Sequence, residues 1–481
     1  MKNRSREQGN TMRTSNWKPN LEEVSGPTYL AIADSLAESI AQGNLRAGDR
    51  LPPQRTLAAA LEIDFTTVSR GYAEAQRRGL IEARVGRGTY VKAAKLRLAT
   101  SNASTPIDML INHPPRFINA TLEERIWSGI PTALSQRGLD MLMRYQVPSG
   151  AMQDRAIGAN WLARRLPGLG PERLLVCPGA QGALLATTMM LANAGDTVCI
   201  EELTYPGYIL LARELGIRLV PVKMDEHGVL PDALDFVCRK EQPKAFYCTP
   251  ILHNPTTVTM PLERRLALLE VARRHKLPVI EDDNYWPLFA SRGDAVDALA
   301  QFPSLASLAP ELVYYVGGLA KCVSPALRIA YLAVPNQQMA DRADVMIRAT
   351  ASMAAPLSAA LASYWIENGV ADAMLDAIRA ESDARQAIAS QWLGPDLTNS
   401  QTQGFHLWLQ MPSHWTLSTF TTQLRIAGIS IAGSEAFSVS EAPQGVRLCL
   451  GAPDTRADLD GCLQRIADIL HLKSPAHRQV I

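Results

Sequence analysis

The chain has 481 residues, of which 20% are charged and 47% hydrophobic. That is length for roughly two to four domains and is too apolar for wholesale disorder. Its formal charge of +1 names no partner, but residues 1–92 carry 14 Lys/Arg against 10 Asp/Glu and the rest 34 against 37, a basic head before a mildly acidic body.

The first 25 residues are polar and read as a mobile arm, with no apolar stretch of the kind a secretory signal needs. From Tyr29 to Gln42 the apolar positions Tyr29, Ile32, Ala33, Leu36 and Ile40 share one helical face. Gly43, Gly48 and Asp49 break that helix. Second and third helices are predicted over 54–61 and 66–78, with Gly79 placed as a C-terminal cap. Residues 80–84 and 88–91 then alternate like two short strands joined by Gly86-Arg87-Gly88. Three helices and a hairpin in so short a span fit a winged helix-turn-helix at 26–92, or an ordinary small α+β domain.

Residues 93–120 have little periodicity and paired prolines at Pro114 and Pro115, as expected of a linker and the entry to a second domain. Beyond it, over 121–481, apolar runs alternate with helical stretches. Strands are expected at 174–177, 197–200, 218–222, 245–248, 278–280 and 312–316. The alternation predicts a mainly parallel sheet flanked by helices, large part 121–360 and small part 361–481. The seven cysteines form no CxxC and no zinc-spaced cluster, so no metal is expected and the thiols suit a reducing, cytoplasmic setting. No apolar run reaches the length of a membrane span.

In the head, Leu51-Pro52-Pro53-Gln54-Arg55-Thr56-Leu57-Ala58, then Phe65-Thr66-Thr67-Val68-Ser69-Arg70-Gly71-Tyr72, then Gly79-Leu80-Ile81 and Gly86-Arg87-Gly88-Thr89-Tyr90-Val91 occur in an order that resembles the GntR family of bacterial regulators. The resemblance runs from about Gly26 to Val91 and implies binding to a double-stranded DNA operator. Arg55, Arg70, Arg84 and Arg87 are the candidate DNA contacts, with Thr66 and Thr67 opening the recognition helix and Gly88 letting the wing approach. Any one of these arginines alone reads as a solvated face. Relatives often carry Arg at the position of Phe65, which weakens the case for base reading there.

The body holds one lysine in a distinctive setting, Gly317-Gly318-Leu319-Ala320-Lys321-Cys322-Val323-Ser324-Pro325-Ala326-Leu327-Arg328. This resembles the cofactor-lysine segment of fold type I, class I/II aminotransferases. The resemblance implies a pyridoxal 5'-phosphate held through a Schiff base to Lys321, with Arg328 on its phosphate. Further stations follow in the family's order over about 107–450. Gly179, Ala180 and Gln181 match a phosphate-binding helix start, although alone they are a plain strand-to-helix turn. Tyr205 matches the ring that stacks on the cofactor, or is a core tyrosine. Asn254 and Tyr285 match the partners of its phenolic oxygen, and Asp282 the carboxylate that keeps the pyridine protonated. Arg447 matches the arginine that grips an α-carboxylate, and Asn112 stands in a loop that resembles the one passing the substrate pocket. Tyr145 matches a residue that reaches into the partner subunit's site, implying a homodimer. Ser or Thr, usual three residues before the lysine and often one before it, is replaced by Gly318 and Ala320, each lost hydroxyl worth about 1 kcal/mol of phosphate binding.

The two resemblances joined are those of the MocR branch of the GntR regulators. They imply a multidomain chain: a winged helix-turn-helix (α+β), then an α/β aminotransferase fold type I with a small C-terminal α+β subdomain. The implied function is a transcription regulator that senses an amino acid or amine at Lys321. The alternative is a working aminotransferase carrying a DNA-binding head, and a third reading keeps the body as scaffold only.

Overall fold

The computed structural model describes residues 17–19, 27–41, 44–45, 48–77, 80–84, 88–91, 107–289, 301–395, 398–399 and 403–471. The predicted arm at 1–25, apart from 17–19, lies outside them. So do Gly79, the wing turn with Arg87, and residues 93–106 of the linker. The chain divides into two compact units, 1–105 and 106–481.

In the first unit the helices are Thr28–Ala41, Gln54–Leu61 and Phe65–Arg77, followed by an antiparallel hairpin of Ile81–Arg84 and Gly88–Val91. The helical periodicity is borne out in what it buries: Ile32, Ala33 and Leu36 of the first helix pack with Val68, Tyr72 and Ala75 of the third. Each large apolar side chain so buried contributes about 1.5–3 kcal/mol. The two helices touch at Gly71, where an added Cβ would lie 3.0 Å from Ile32 Cβ. Asp64 starts the third helix by accepting from Thr66 N at 2.8 Å, which satisfies one of its free N–H groups. Tyr72 Oη donates to Pro52 O at 2.9 Å and ties that helix to the turn before the second.

The second unit is built on a seven-stranded sheet in the order Leu174–Cys177, Ala330–Ala333, Val313–Gly318, Val279–Asp282, Ala245–Cys248, Thr197–Glu201, Arg218–Val222. All neighbours pair in parallel except Ala330–Ala333, which is antiparallel to both of its partners. The sheet is therefore mixed, and this reversed strand was not among those predicted. Side chains alternate between two cores. Leu174, Val176, Phe246, Val279, Tyr315 and Tyr331 face one; Leu175, Cys177, Tyr247, Ile280, Tyr314 and Leu332 face the other. Helices cover both faces, so every position of the six inner and neighbouring strands is buried, and only the edge strand Arg218–Val222 is partly exposed.

The smaller part has a four-stranded sheet, Thr398–Asn399, His406–Gln410, Gly445–Cys449 and Ala432–Gly433, covered by Leu417–Ile426 and Arg456–His471. The helix Val370–Trp392 serves both parts: Val370, Leu375 and Ile378 lie in a core of the large sheet, and Ala389 in that of the small one. The first described residues of the body, Ile107–Asp108, pair in parallel with Ile429–Ser430. The chain thus enters the body as an edge of its small part before crossing to the large one. Among the described residues no helix is long and apolar enough to cross a membrane, and all seven cysteines are free and buried.

Helix Met152–Leu162 meets the sheet at Gly158, where an added Cβ would lie 2.3 Å from Tyr331 Cε1. Tyr331 is fully buried on the reversed strand and has no room to retreat. Gly158→Ala is expected to destabilise the body by about 1–3 kcal/mol, read as a lower denaturant midpoint at unchanged slope.

Candidate functional site

Six of the seven strands run in one direction, and their C-terminal ends gather the predicted residues on one edge of the sheet, where ligands bind in open α/β sheets. Lys321 follows Val313–Gly318 and Asp282 ends Val279–Asp282. Gly179 follows Leu174–Cys177, Tyr205 follows Thr197–Glu201, and Asn254 follows Ala245–Cys248. Arg447 comes from the middle of the small-part strand Gly445–Cys449.

Lys321 Nζ donates to the carbonyl of Asn112, and Asn112 Nδ2 donates to Tyr285 Oη at 2.9 Å. Burial brings the Lys321 ammonium down from its ordinary 10.5 to about 8, with Arg447 and Arg328 adding to the effect against Cys449 and Asp282. A fraction of the amine is therefore neutral, and nucleophilic, near neutral pH.

Asp282 is buried and accepts from Tyr247 Oη at 2.8 Å on Oδ2 and from Asn284 Nδ2 on Oδ1. Burial pushes its carboxyl up to about 7, opposed by the Tyr247 hydrogen bond. A cation placed against it would be stabilised strongly, because two donors already orient the carboxylate and little water competes.

Gly179 has φ +76°, and an added Cβ there would lie 2.8 Å from Arg328 Nη2. The helix Gly179–Leu191 thus begins directly against a guanidinium, and its N–H groups with Arg328 form an anion cradle. Gln181 Nε2 donates to Gly207 O at 2.8 Å. The Tyr205 ring lies over Gly207, where a Cβ would sit 2.4 Å from Tyr205 Cζ.

Arg447 Nη1 donates to Asn254 Oδ1 at 2.9 Å, and Nη2 donates to the carbonyl of Leu110. Its guanidinium carbon stands 5.0 Å from the Phe437 ring centroid. Arg447 Nε, Asn112 Oδ1, Gln181 Oε1 and His406 Nδ1 are buried without a hydrogen-bond partner among the described residues. Buried polar atoms of this kind call for a partner, an ordered water or a ligand.

The structure brings together Lys321, Asp282, Tyr285, Tyr205, Asn254, Arg447, Asn112, Arg328, Gly179, Ala180 and Gln181. Tyr145 is 89% exposed and stands away from them. Sequence reasoning missed Tyr247, Asn284, Phe437 and the backbone carbonyl of Leu110. It also missed His406 as a site residue: its ring lies 5.3 Å from that of Tyr285, and burial pushes it down to about 3, so it is neutral. Tyr247 lies on a different strand from its partner Asp282, far along the chain, and a carbonyl has no residue type to recognise.

In the head, Arg55, Thr66 and Arg70 are exposed and Thr67 is half-buried. The Thr66 hydroxyl donates to the Asp64 carboxylate, and the Arg70 guanidinium packs 4.3 Å from the Tyr29 ring centroid. The strand of Arg84 is described but its side chain is not, and Arg87 lies outside the described residues. Gly88 has φ +109°, and an added Cβ would lie 2.9 Å from Arg50 Nε. This places the exposed Arg50 beside the wing, a basic residue the motifs did not single out.

Residues 159–466 match the model of the family "Aminotransferase class I and II", and residues 28–91 that of "Bacterial regulatory proteins, gntR family". The uncharacterized HTH-type transcriptional regulator YdeF of Bacillus subtilis strain 168 is 26% identical over 456 residues, 94% of this chain and 96% of that one. The probable rhizopine catabolism regulatory protein MocR of Rhizobium meliloti is 29% identical, covering 65% of this chain and 66% of its own. Among solved structures, LysN, the alpha-aminoadipate aminotransferase of Thermus thermophilus complexed with N-(5'-phosphopyridoxyl)-L-leucine, superposes with a TM-score of 0.66. It is 23% identical and covers 83% of this chain and 98% of its own, a likeness of fold.

Proposed function

Because the chain belongs to the class I and II aminotransferase family and carries a gntR-type head at 28–91, we propose that it is a DNA-binding transcription regulator whose body binds pyridoxal 5'-phosphate and, through it, an amino acid or amine. The fit of the cofactor is supported by the donor set. The Gly179 cradle with Arg328 suits a phosphate, the oriented Asp282 carboxylate suits a protonated pyridine nitrogen, and the Lys321 amine suits an aldehyde. When bound, the cofactor supplies that aldehyde and an electron-withdrawing ring.

The residues of the chain do the rest. Arg328 and the N–H groups at the start of Gly179–Leu191 hold the phosphate. Tyr205 would cover the ring and keep water from one side of it. Asn254 and Tyr285 place donors at the phenolic oxygen. Lys321, lowered to about 8 by burial, would be the amine that meets that aldehyde and would hold or move a proton at Nζ. Arg447 takes a carboxylate on its fork of N–H donors.

One observation carries the regulatory reading. The segment entering the body from the head side, residues 107–115, lies across the site: its Leu110 carbonyl accepts from Arg447 and its Asn112 carbonyl from Lys321. A ligand carboxylate at Arg447 takes the donor that Leu110 holds. Ligand and segment therefore compete for Arg447, and this differential contact biases the segment that leads to the head. The same residues leave turnover open as an outcome.

The exposure of the apolar residues Leu139, Leu142, Met143, Tyr145 and Val147 within one short segment supports a homodimer that covers them, in which Tyr145 serves the partner's site; light scattering measures it. The buried free cysteines are consistent with a cytoplasmic setting.

The test is an absorption spectrum of the protein loaded with pyridoxal phosphate, titrated with amino acids and amines, alongside retention of an operator fragment. One compound that shifts both signals supports the sensor. Sustained keto-acid release at an enzyme-like rate moves the assignment to the aminotransferase. Absence of any spectral change with added cofactor leaves the body a scaffold. In Arg447→Ala, affinity for a carboxylate-bearing ligand is expected to fall on the order of 10–100-fold, while a simple amine loses little; equal losses for both would remove Arg447 from carboxylate binding.

A further inference from the structure

The position three residues before Lys321 is Gly318, where a hydroxyl was expected. The fold explains the glycine. An added Cβ at Gly318 would lie 2.3 Å from Asn284 Oδ1 and 3.4 Å from Ala180 Cβ. The place a serine would fill beside the phosphate cradle is taken by an amide from another strand end. That amide is held at both ends: Asn284 Oδ1 accepts from Gly318 N at 2.6 Å, and Asn284 Nδ2 donates to Asp282 Oδ1. With Tyr247 on Oδ2, both carboxylate oxygens of Asp282 have a donor.

We propose that Asn284 is a positioning residue for the Asp282 carboxylate in cofactor binding, and that Asn284 and Gly318 are a matched pair in which neither can change alone. The proposal rests on the assignment of pyridoxal phosphate to this site and adds a residue that the motifs do not contain. Its logic is an exchange. The phosphate end gives up a hydroxyl, and the pyridine end gains a second donor that aims the carboxylate and favours its ionised form against burial. The amide also couples the two ends of the site, because the same side chain bonds the strand end at Gly318 and the strand end at Asp282.

The groups facing Asp282 are Tyr247 and Asn284 in contact, with Tyr205, Asp283, Glu201 and Lys321 near. Donation to a carboxylate favours its ionised form, so losing the Asn284 donor favours the protonated acid. Cofactor affinity that depends on the carboxylate then begins its acid-side fall at higher pH.

The experiment titrates pyridoxal phosphate into the full chain and reads the dissociation constant from the visible absorption across the neutral range, with a thermal melt for each protein. Asn284→Ala is expected to bind about tenfold more weakly, with its acid limb moved to higher pH. Asn284→Asp keeps the shape and the acceptor for Gly318 N but sets a second carboxyl against Asp282, and loses more than the alanine. A packing role alone would leave it close to the wild type. Gly318→Ser forces the amide aside and matches the loss of Asn284→Ala. The double variant Asn284→Ala/Gly318→Ser removes the clash, lets the hydroxyl reach the cradle beside Ala180, and binds more tightly than either single variant. Single variants that bind as the wild type does, or losses that multiply in the double variant, overturn the pairing. An unchanged pH profile in Asn284→Ala and Asn284→Asp overturns the positioning role. If the wild-type protein itself takes up no pyridoxal phosphate, the cofactor assignment fails and this proposal with it. Uptake by the wild type with indifferent variants sinks the proposal alone.

Discussion

Lys321→Ala is expected to abolish the visible absorption of lysine-linked cofactor and the response to ligand, while operator binding by the head persists. The amine at 321 interacts with Asp282 and Arg447 and is joined to Tyr285 through Asn112, and the motif around it has no second candidate. Head and body are separate compact units with their own cores, so the substitution leaves the DNA-binding fold intact. The variant without cofactor should also be at least as stable as the wild type near pH 7. Burial lowers the Lys321 ammonium from 10.5 to about 8, so between those values the unfolded chain binds more protons than the folded one. Stability of the wild type therefore rises with pH through that window, and below it the buried charge is a standing cost on the order of a few kcal/mol. Alanine removes the cost. Melting curves at pH 7 and at pH 10 measure it: the wild type should gain on the variant as the pH rises. Persistence of the same absorption band in Lys321→Ala would place the cofactor on another residue.

Arg165→Ala is expected to destabilise the body by about 3–5 kcal/mol, the cost of leaving a buried charge without its partner. Glu281, Asp282 and Asp283 are consecutive and all buried, and the strand sends Asp282 toward Tyr247 and its two neighbours toward Arg165. There Arg165 Nε donates to Asp283 Oδ2 at 2.6 Å, and Arg165 Nη2 stands 3.9 Å from Glu281 Oε1. Glu281 also accepts from Leu305 N at 2.9 Å and Ala306 N at 2.8 Å, and Arg265 stands 4.0 Å from it. Burial drives the Glu281 carboxyl upward, Asp283 drives it further, and Arg165 and Arg265 hold it back. Without Arg165 the two carboxylates repel each other in a dry interior. The strand end that carries Asp282 then loosens, so cofactor affinity falls together with the denaturant midpoint. Arg165→Lys should recover little, because one ammonium cannot reproduce a fork that bonds both Asp283 and the Phe302 carbonyl. A loss under about 1 kcal/mol would mean that water or a shifted backbone already serves these acids.

The chain's own order of residues was enough for much of this protein. The helices of the head follow from which apolar residues recur at helical spacing, since Ile32, Leu36, Val68 and Tyr72 are also the residues buried there. The apolar runs at 174–177, 245–248 and 279–280 became strands because both faces of the sheet are covered. The residues from Gly179 to Arg447 could be singled out, and the fold gathers them, because each stands in a local setting that is written in adjacent residues; the roles proposed for them rest on the resemblance.

Packing between distant segments settled the remainder. Ala330–Ala333 is too short and too like its neighbours for its reversed direction to be read locally; it is reversed because it returns directly from Gly318 beside the strand it has just left. The donor that Tyr247 brings to Asp282 crosses 35 residues of chain, and the carbonyl that Leu110 brings to Arg447 crosses 337. Gly318 looked like a lost phosphate ligand until Asn284 was seen filling its space. Local order reports which side chains want burial, at what period, and which carry chemistry. It does not report which buried polar atom finds which donor, because that choice is made only when the cores close and each unpaired group must be satisfied within a few ångströms.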